Sequence, residues 1–108
     1  MATEHSRVHV CFGEPSIHLS ELMQLAENRT ADYWTTNSQA KKSDRALFYM
    51  TAPLSAFVAW GDIQTDASLE AGQRYNWSGH YMSKIGNVKI LPRPVPLKEL
   101  RNRLPEWG

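Results

Sequence analysis

Between Arg45 and Ile63 the chain carries two apolar segments separated by Thr51-Ala52-Pro53-Leu54-Ser55. Arg45 to Met50 has the aromatic and aliphatic composition of a β-strand, and Pro53 lies just beyond its end. Ala56 to Ile63 is apolar on both faces up to Gly61, so it should lie centrally in a sheet, with neighbours on either side. The short connection suits a hairpin. Gly61 marks a bulge or a close approach of another backbone.

The rest of the chain is read around that pair. Arg7 to Phe12 alternates, with Val8, Val10 and Phe12 on one face and Arg7, His9 and Cys11 on the other, as in a half-buried strand. Gly13-Glu14-Pro15 breaks it. Ile17, Leu19, Leu22, Met23 and Ala26 recur at helical spacing, so a helix runs from about Ile17 to Arg29, with Ser16 as its cap. Thr30 to Ser43 is polar except for Tyr33, Trp34 and Ala40, and reads as a long loop with an aromatic anchor. Asp66 to Ser78 is loop-like, with Tyr75 and Trp77 near its end. Gly79 to Ser83 and Asn87 to Leu91 form two more strands around Ile85-Gly86. Pro92, Pro94 and Pro96 make a stiff extended connector, and Pro96 opens a last helix whose stripe is Leu97, Leu100 and Leu104.

That order predicts an α+β domain, a curved antiparallel sheet closing toward a small β-barrel with flanking helices. A length of 108 residues suits one domain spanning the whole chain. No apolar run approaches the roughly 20 residues of a membrane helix. The first residues are polar, and the lone Cys11 permits neither an intrachain disulfide nor a thiolate zinc cluster. A cytoplasmic location is the default expectation.

The net charge of +1 is unevenly spread. Residues 1–36 set Arg7 and Arg29 against Glu4, Glu14, Glu21, Glu27 and Asp32. Residues 84–108 set Lys84, Lys89, Arg93, Lys98, Arg101 and Arg103 against Glu99 and Glu106. A basic end can follow a phosphate backbone, although a solvated tail has the same composition.

Ser43-Asp44-Arg45-Ala46-Leu47-Phe48-Tyr49-Met50, a Pro-containing turn, and then Ala56-Phe57-Val58-Ala59-Trp60-Gly61-Asp62-Ile63 resemble the EVE family of the PUA-like superfamily, to which YTH and ASCH domains are related. Trp77, which follows a variable loop, extends the similarity. So do Arg93-Pro94-Val95-Pro96-Leu97-Lys98-Glu99-Leu100 and the stretch from Tyr33-Trp34 to Asn37. Ser43 stands where the family has glycine. The resemblance implies a PUA-like barrel that binds DNA or RNA and accepts a flipped, modified base in an aromatic pocket. It also implies a possible sensor role in a defence or restriction system, beside a nuclease or motor partner in another chain or domain. The alternative carried by ASCH relatives is a small hydrolase or ribonuclease, for which Lys42, Asp44 and Asp62 are the candidates.

The base pocket expected on this basis comprises Trp34, Tyr49, Trp60 and Trp77 as walls, with Asn37 and Asp62 to read the base edge. Tyr49 and Trp60 lie in strands, where core packing is the competing role. Lys41, Lys42 and Arg45, with Lys84, Lys89 and Arg93 as a second strip, are the phosphate-binding candidates. For any single lysine among them a solvated face is the more common role. The histidines lack metal-ligand spacing, and no cofactor is expected. Cys11 reads as a small buried thiol. A protein-interaction role for the Leu97–Leu104 helix is a third possibility.

Overall fold

The computed structural model describes residues 7–74, 77–96 and Glu99. The expected last helix therefore lies outside the described residues apart from Glu99, as does Tyr75. The element order is β1 (Val8–Gly13), α1 (Pro15–Asn28), β2 (Asp32–Thr35), β3 (Arg45–Met50), β4 (Ala56–Ile63), α2 (Leu69–Arg74) and β5 (Met82–Val95). The strands form one sheet in the order β1-β3-β4-β5-β2, with β4 at the centre as its two-faced apolarity requires. The sheet curls into a nearly closed α+β barrel. Its two edge strands, β1 and β2, meet without a ladder between them and leave a seam.

Three of the four ladders are antiparallel, but β1 runs parallel to β3, so the sheet is mixed. The cause is the connection. The chain passes through α1 and β2 before β3, and a crossover of that length lets it re-enter in the same direction. The faces of β1 are also the reverse of the simplest reading of its alternation. His9, Cys11 and Gly13 point into the barrel, while Val8 and Phe12 face outward. Pairing of His9 with Ala46 and of Cys11 with Phe48 ties β1 to the inward set of β3, namely Ala46, Phe48 and Met50. Because the side-chain period is two, the ladder decides which set is buried. The outward Phe12 packs edge-on against Tyr49, with ring centroids 5.9 Å apart.

Helix α1 starts earlier than the apolar spacing indicates because Pro15 is suited to the first turn. Ser16 is not its cap. Glu14 occupies that position without a side-chain cap bond, and its carbonyl accepts from Ile17 and His18 N–H. Arg29, in the left-handed region, closes the helix as Thr30 N–H reaches the Leu25 carbonyl. Leu22 is fully buried against the barrel core of Phe48, Met50, Ile63, Ile85 and Cys11.

Two stretches that read as loops contain short elements, β2 and α2. The expected pair of strands after Gly79 is one continuous strand, β5, with Gly86 and the left-handed Asn87 as irregularities inside it. Pro92 and Pro94 belong to its end. Gly61 is a point of close approach: a Cβ there would stand 3.0 Å from Ile85 Cγ2 and 3.1 Å from the Gly86 carbonyl oxygen.

Candidate functional site

The seam between β1 and β2 is bridged by the indole of Trp34, whose Nε1–H donates to the Phe12 carbonyl at 3.1 Å. Trp34 is 7% exposed and stacks edge-on against Phe48 at 5.0 Å. Its other neighbour is His18 of α1, at 5.3 Å between centroids. Above it opens a cleft of about 240 Å³, with Phe12, Tyr33, Trp34 and Trp77 as aromatic walls. Trp77 is 47% exposed and Phe12 60% exposed, so both offer ring surface to a ligand. Trp77 is braced by His80, perpendicular at 5.6 Å, and by its N–H to the Gly72 carbonyl.

The polar groups of the cleft are His18, Glu21 and Thr35. His18 and Glu21 share one face of α1 by their spacing. The Glu14 N–H donates to His18 Nδ1 at 2.8 Å, so the neutral ring carries its proton on Nε2 as a donor. The volume is slightly below the roughly 300–1,000 Å³ of drug-sized pockets and suits a single planar ring.

A second polar group lies beyond the other end of β2. Asp44 is buried, and its carboxylate accepts from Arg7 N–H at 3.0 Å, from Lys41 N–H at 3.1 Å and from His9 Nε2–H at 2.8 Å. The Gln39 N–H occupies Asn37 Oδ1 at 2.9 Å, which turns Asn37 Nδ2 toward His9 Nδ1, also at 2.9 Å. His9 thus sits between a donor and a carboxylate, and both ring nitrogens are occupied. Burial alone would raise the Asp44 pKa, but the Arg7 N–H, the His9 ring and the Lys41 N–H together hold it below the ordinary carboxylate value. These contacts make Asp44 a fixed acceptor.

Beside this chain lies an open groove of about 760 Å³ that includes Arg7, Lys42, Arg45 and Asp62. A smaller one of about 410 Å³ includes Arg7, Lys41 and Asp44. Arg45 lies over Trp60, 4.8 Å from the ring centroid, and 3.6 Å from the Asp62 carboxylate. Asp62 also accepts from Asn87 at 3.0 Å.

The residues expected to form one pocket are therefore distributed over three places. Trp34 and Trp77 share the seam cleft. Trp60 and Asp62 lie on the outer wall of the barrel, and Tyr49 stands between Phe12 and Phe57. Asn37 belongs to the His9–Asp44 chain. Of the cations, Lys42 and Arg45 share the larger groove and Lys41 lines the smaller one. Lys84 is exposed opposite Tyr33, Lys89 is exposed opposite Trp60, and Arg93 is paired with Glu99. The cleft adds Phe12, His18, Glu21 and Tyr33 to the candidate residues. The local signals are Tyr33, beside Trp34 in the aromatic anchor, and the His18–Glu21 spacing on one helical face.

Burial pushes the Cys11 thiol up to about 12, so it is no nucleophile at neutral pH. Among the described residues no group of three or more His, Cys, Asp or Glu side chains is placed to hold a metal ion. Nor is any helix among them long and apolar enough to cross a membrane.

Barrel, crossover and seam together make a PUA-like fold, which solved structures share. Rpa0253 from Rhodopseudomonas palustris matches with a TM-score of 0.63 at 19% identity, over 89% of this chain and 70% of that one. Human THYN1, in complex with 5-methylcytosine containing DNA, matches with a TM-score of 0.63 at 17% identity, over 94% and 77%. ASCH from Zymomonas mobilis matches with a TM-score of 0.53 at 12% identity, over 94% and 82%. At such identities the likeness is one of fold. No family model and no curated protein matches the sequence.

Proposed function

We propose that this chain is a nucleic-acid-binding module that receives an extruded, modified base in the seam cleft. The observation that carries the reading is the cleft itself: four aromatic rings drawn from β1, β2 and the segment after α2 around a space for one heterocycle. A base offers two π faces, and aromatic side chains contribute about 1–3 kcal/mol per stacked base. The likeness to THYN1, a fold seen with methylated DNA, supports nucleic acid as the partner class. Arg7, Lys41, Lys42 and Arg45, gathered at the grooves beside β1 and β3, are the groups for flanking phosphates. On this reading the module senses modification and a nuclease or motor in another chain or domain acts on it, as in a defence or restriction system.

The test is a titration of short single- and double-stranded oligonucleotides, modified and plain. Trp77→Ala should abolish the preference for modification without unfolding the protein, because Trp77 is about half exposed and lies outside the barrel core. Trp60→Ala should leave that preference intact. If Trp77→Ala discriminates as well as the wild type, the seam is not the base site.

A further inference from the structure

We propose that the seam cleft selects a base whose ring carries a positive charge, an N-alkylated purine or pyrimidine, and that the Glu21 carboxylate makes the selection. The proposal rests on the reading of the cleft as the base site. Glu21 is the one carboxylate among the described lining residues, and neither lysine nor arginine lines the cleft with it. No described residue forms an ion pair or a side-chain hydrogen bond with Glu21, so its charge stays available to a ligand. The aromatic walls add to the same preference. Their faces are the negative side of the ring quadrupole and attract a cation as well as stacking on a plane. A neutral base gains the stacking alone; a cationic heterocycle gains stacking, the ring quadrupoles and the carboxylate together.

The surroundings fix how such a ligand enters. Glu14, whose N–H donates to His18, and Asp32, whose carboxylate accepts from the Tyr33 N–H, are exposed, so the residues flanking the cleft lining on these two segments are acidic and disfavour phosphate there. Lys84 is exposed opposite Tyr33 in the β2–β5 ladder, outside the cleft. A nucleotide therefore fits base first, with its phosphate toward Lys84. A methylated lysine side chain would share the attraction to rings and carboxylate; Lys84 is the group that favours a ligand with a phosphate beside its ring.

The isomers N1-methyladenine and N6-methyladenine separate charge from size, since the first is a cation near neutral pH and the second is neutral. Fluorescence anisotropy with the full chain compares short single strands carrying one or the other, together with a trimethyl-lysine peptide. The N1-methyl strand should bind about tenfold or more tightly than its isomer. Glu21→Gln should cut that ratio several-fold, to the part the rings alone supply, while leaving the N6-methyl strand unchanged, and Trp77→Ala should weaken both. Equal binding of the two isomers, or a ratio that Glu21→Gln leaves unchanged, overturns the proposal. If both strands bind through Trp77 with no charge preference, the base site stands and the charge selection falls. If no strand binds through Trp77, the base site itself falls. Capture of the methylated peptide in preference to every strand, lost with Glu21→Gln, assigns the cleft to a protein ligand instead.

Discussion

Replacing Asp44 by alanine removes an acceptor on which three donors converge: the N–H groups of Arg7 and Lys41 and the His9 ring. Hydrogen bonds to a charged group contribute about 1.5–3 kcal/mol each, so a simple sum is about 4.5–9 kcal/mol. Two effects reduce it. The groove of about 410 Å³ beside Asp44 admits water to the freed N–H groups. Alanine also removes the cost of keeping a carboxylate buried. A loss of about 3–4 kcal/mol remains, a large part of the ~5–15 kcal/mol that holds a domain together. Urea unfolding followed by tryptophan fluorescence measures it as a lower midpoint at unchanged slope. Asp62→Ala, on the outer wall, is the control and should cost under about 1 kcal/mol. The pH dependence gives a second reading. The folded pKa of Asp44 lies below its unfolded value, so its contribution is complete above the unfolded value near ~3.9 and fades as pH falls through the folded one. The stability gap between wild type and Asp44→Asn should therefore narrow below about pH 4. A loss equal to that of Asp62→Ala, or a gap constant down to the acid transition, would refute the convergence of donors on Asp44.

Two further substitutions test local features of the barrel. Ser43 holds φ at 83°, a conformation suited to glycine, and its N–H still reaches the Ile63 carbonyl. Ser43→Gly should raise stability by up to about 1 kcal/mol in the same urea assay, because relief of strain exceeds the entropy that glycine adds to the unfolded chain. Cys11, fully enclosed with its pKa pushed up, should resist a thiol reagent in the native protein and react fully once unfolded. Rapid labelling of the native chain would contradict the inward orientation of β1.

Much of the barrel is legible in the residues themselves. The run from Ala56 to Ala59, with no polar side to offer water, is enough to put β4 in the middle. The β3–β4 pair follows from the short turn between the two segments. Helix α1 shows in its apolar spacing, and Pro15 decides where it begins. β2 is hidden because its partner lies some fifty residues downstream and four residues carry little periodicity of their own. The inward face of β1 is hidden for a related reason. His9 is polar, and its burial makes sense only once Asp44 and Asn37 are brought to it from a different part of the chain. Trp34 and Trp77 stand out as aromatics outside the apolar strands, but that they line one cleft depends on the position of the seam. Glu21 is marked only by its helical spacing from His18. On a helical face a carboxylate looks solvated until the fold brings rings of three other segments to the same cleft.

The indole that closes the barrel is also a wall of the cleft, so occupancy and closure share a free energy. Any molecule lodged against Trp34 and Phe12 holds the two edge strands together, and the melting temperature must climb with its concentration. Thermal shift then becomes a ligand screen that needs no catalytic readout. Amide exchange along Asp32–Thr35 would slow first for those compounds that span the gap.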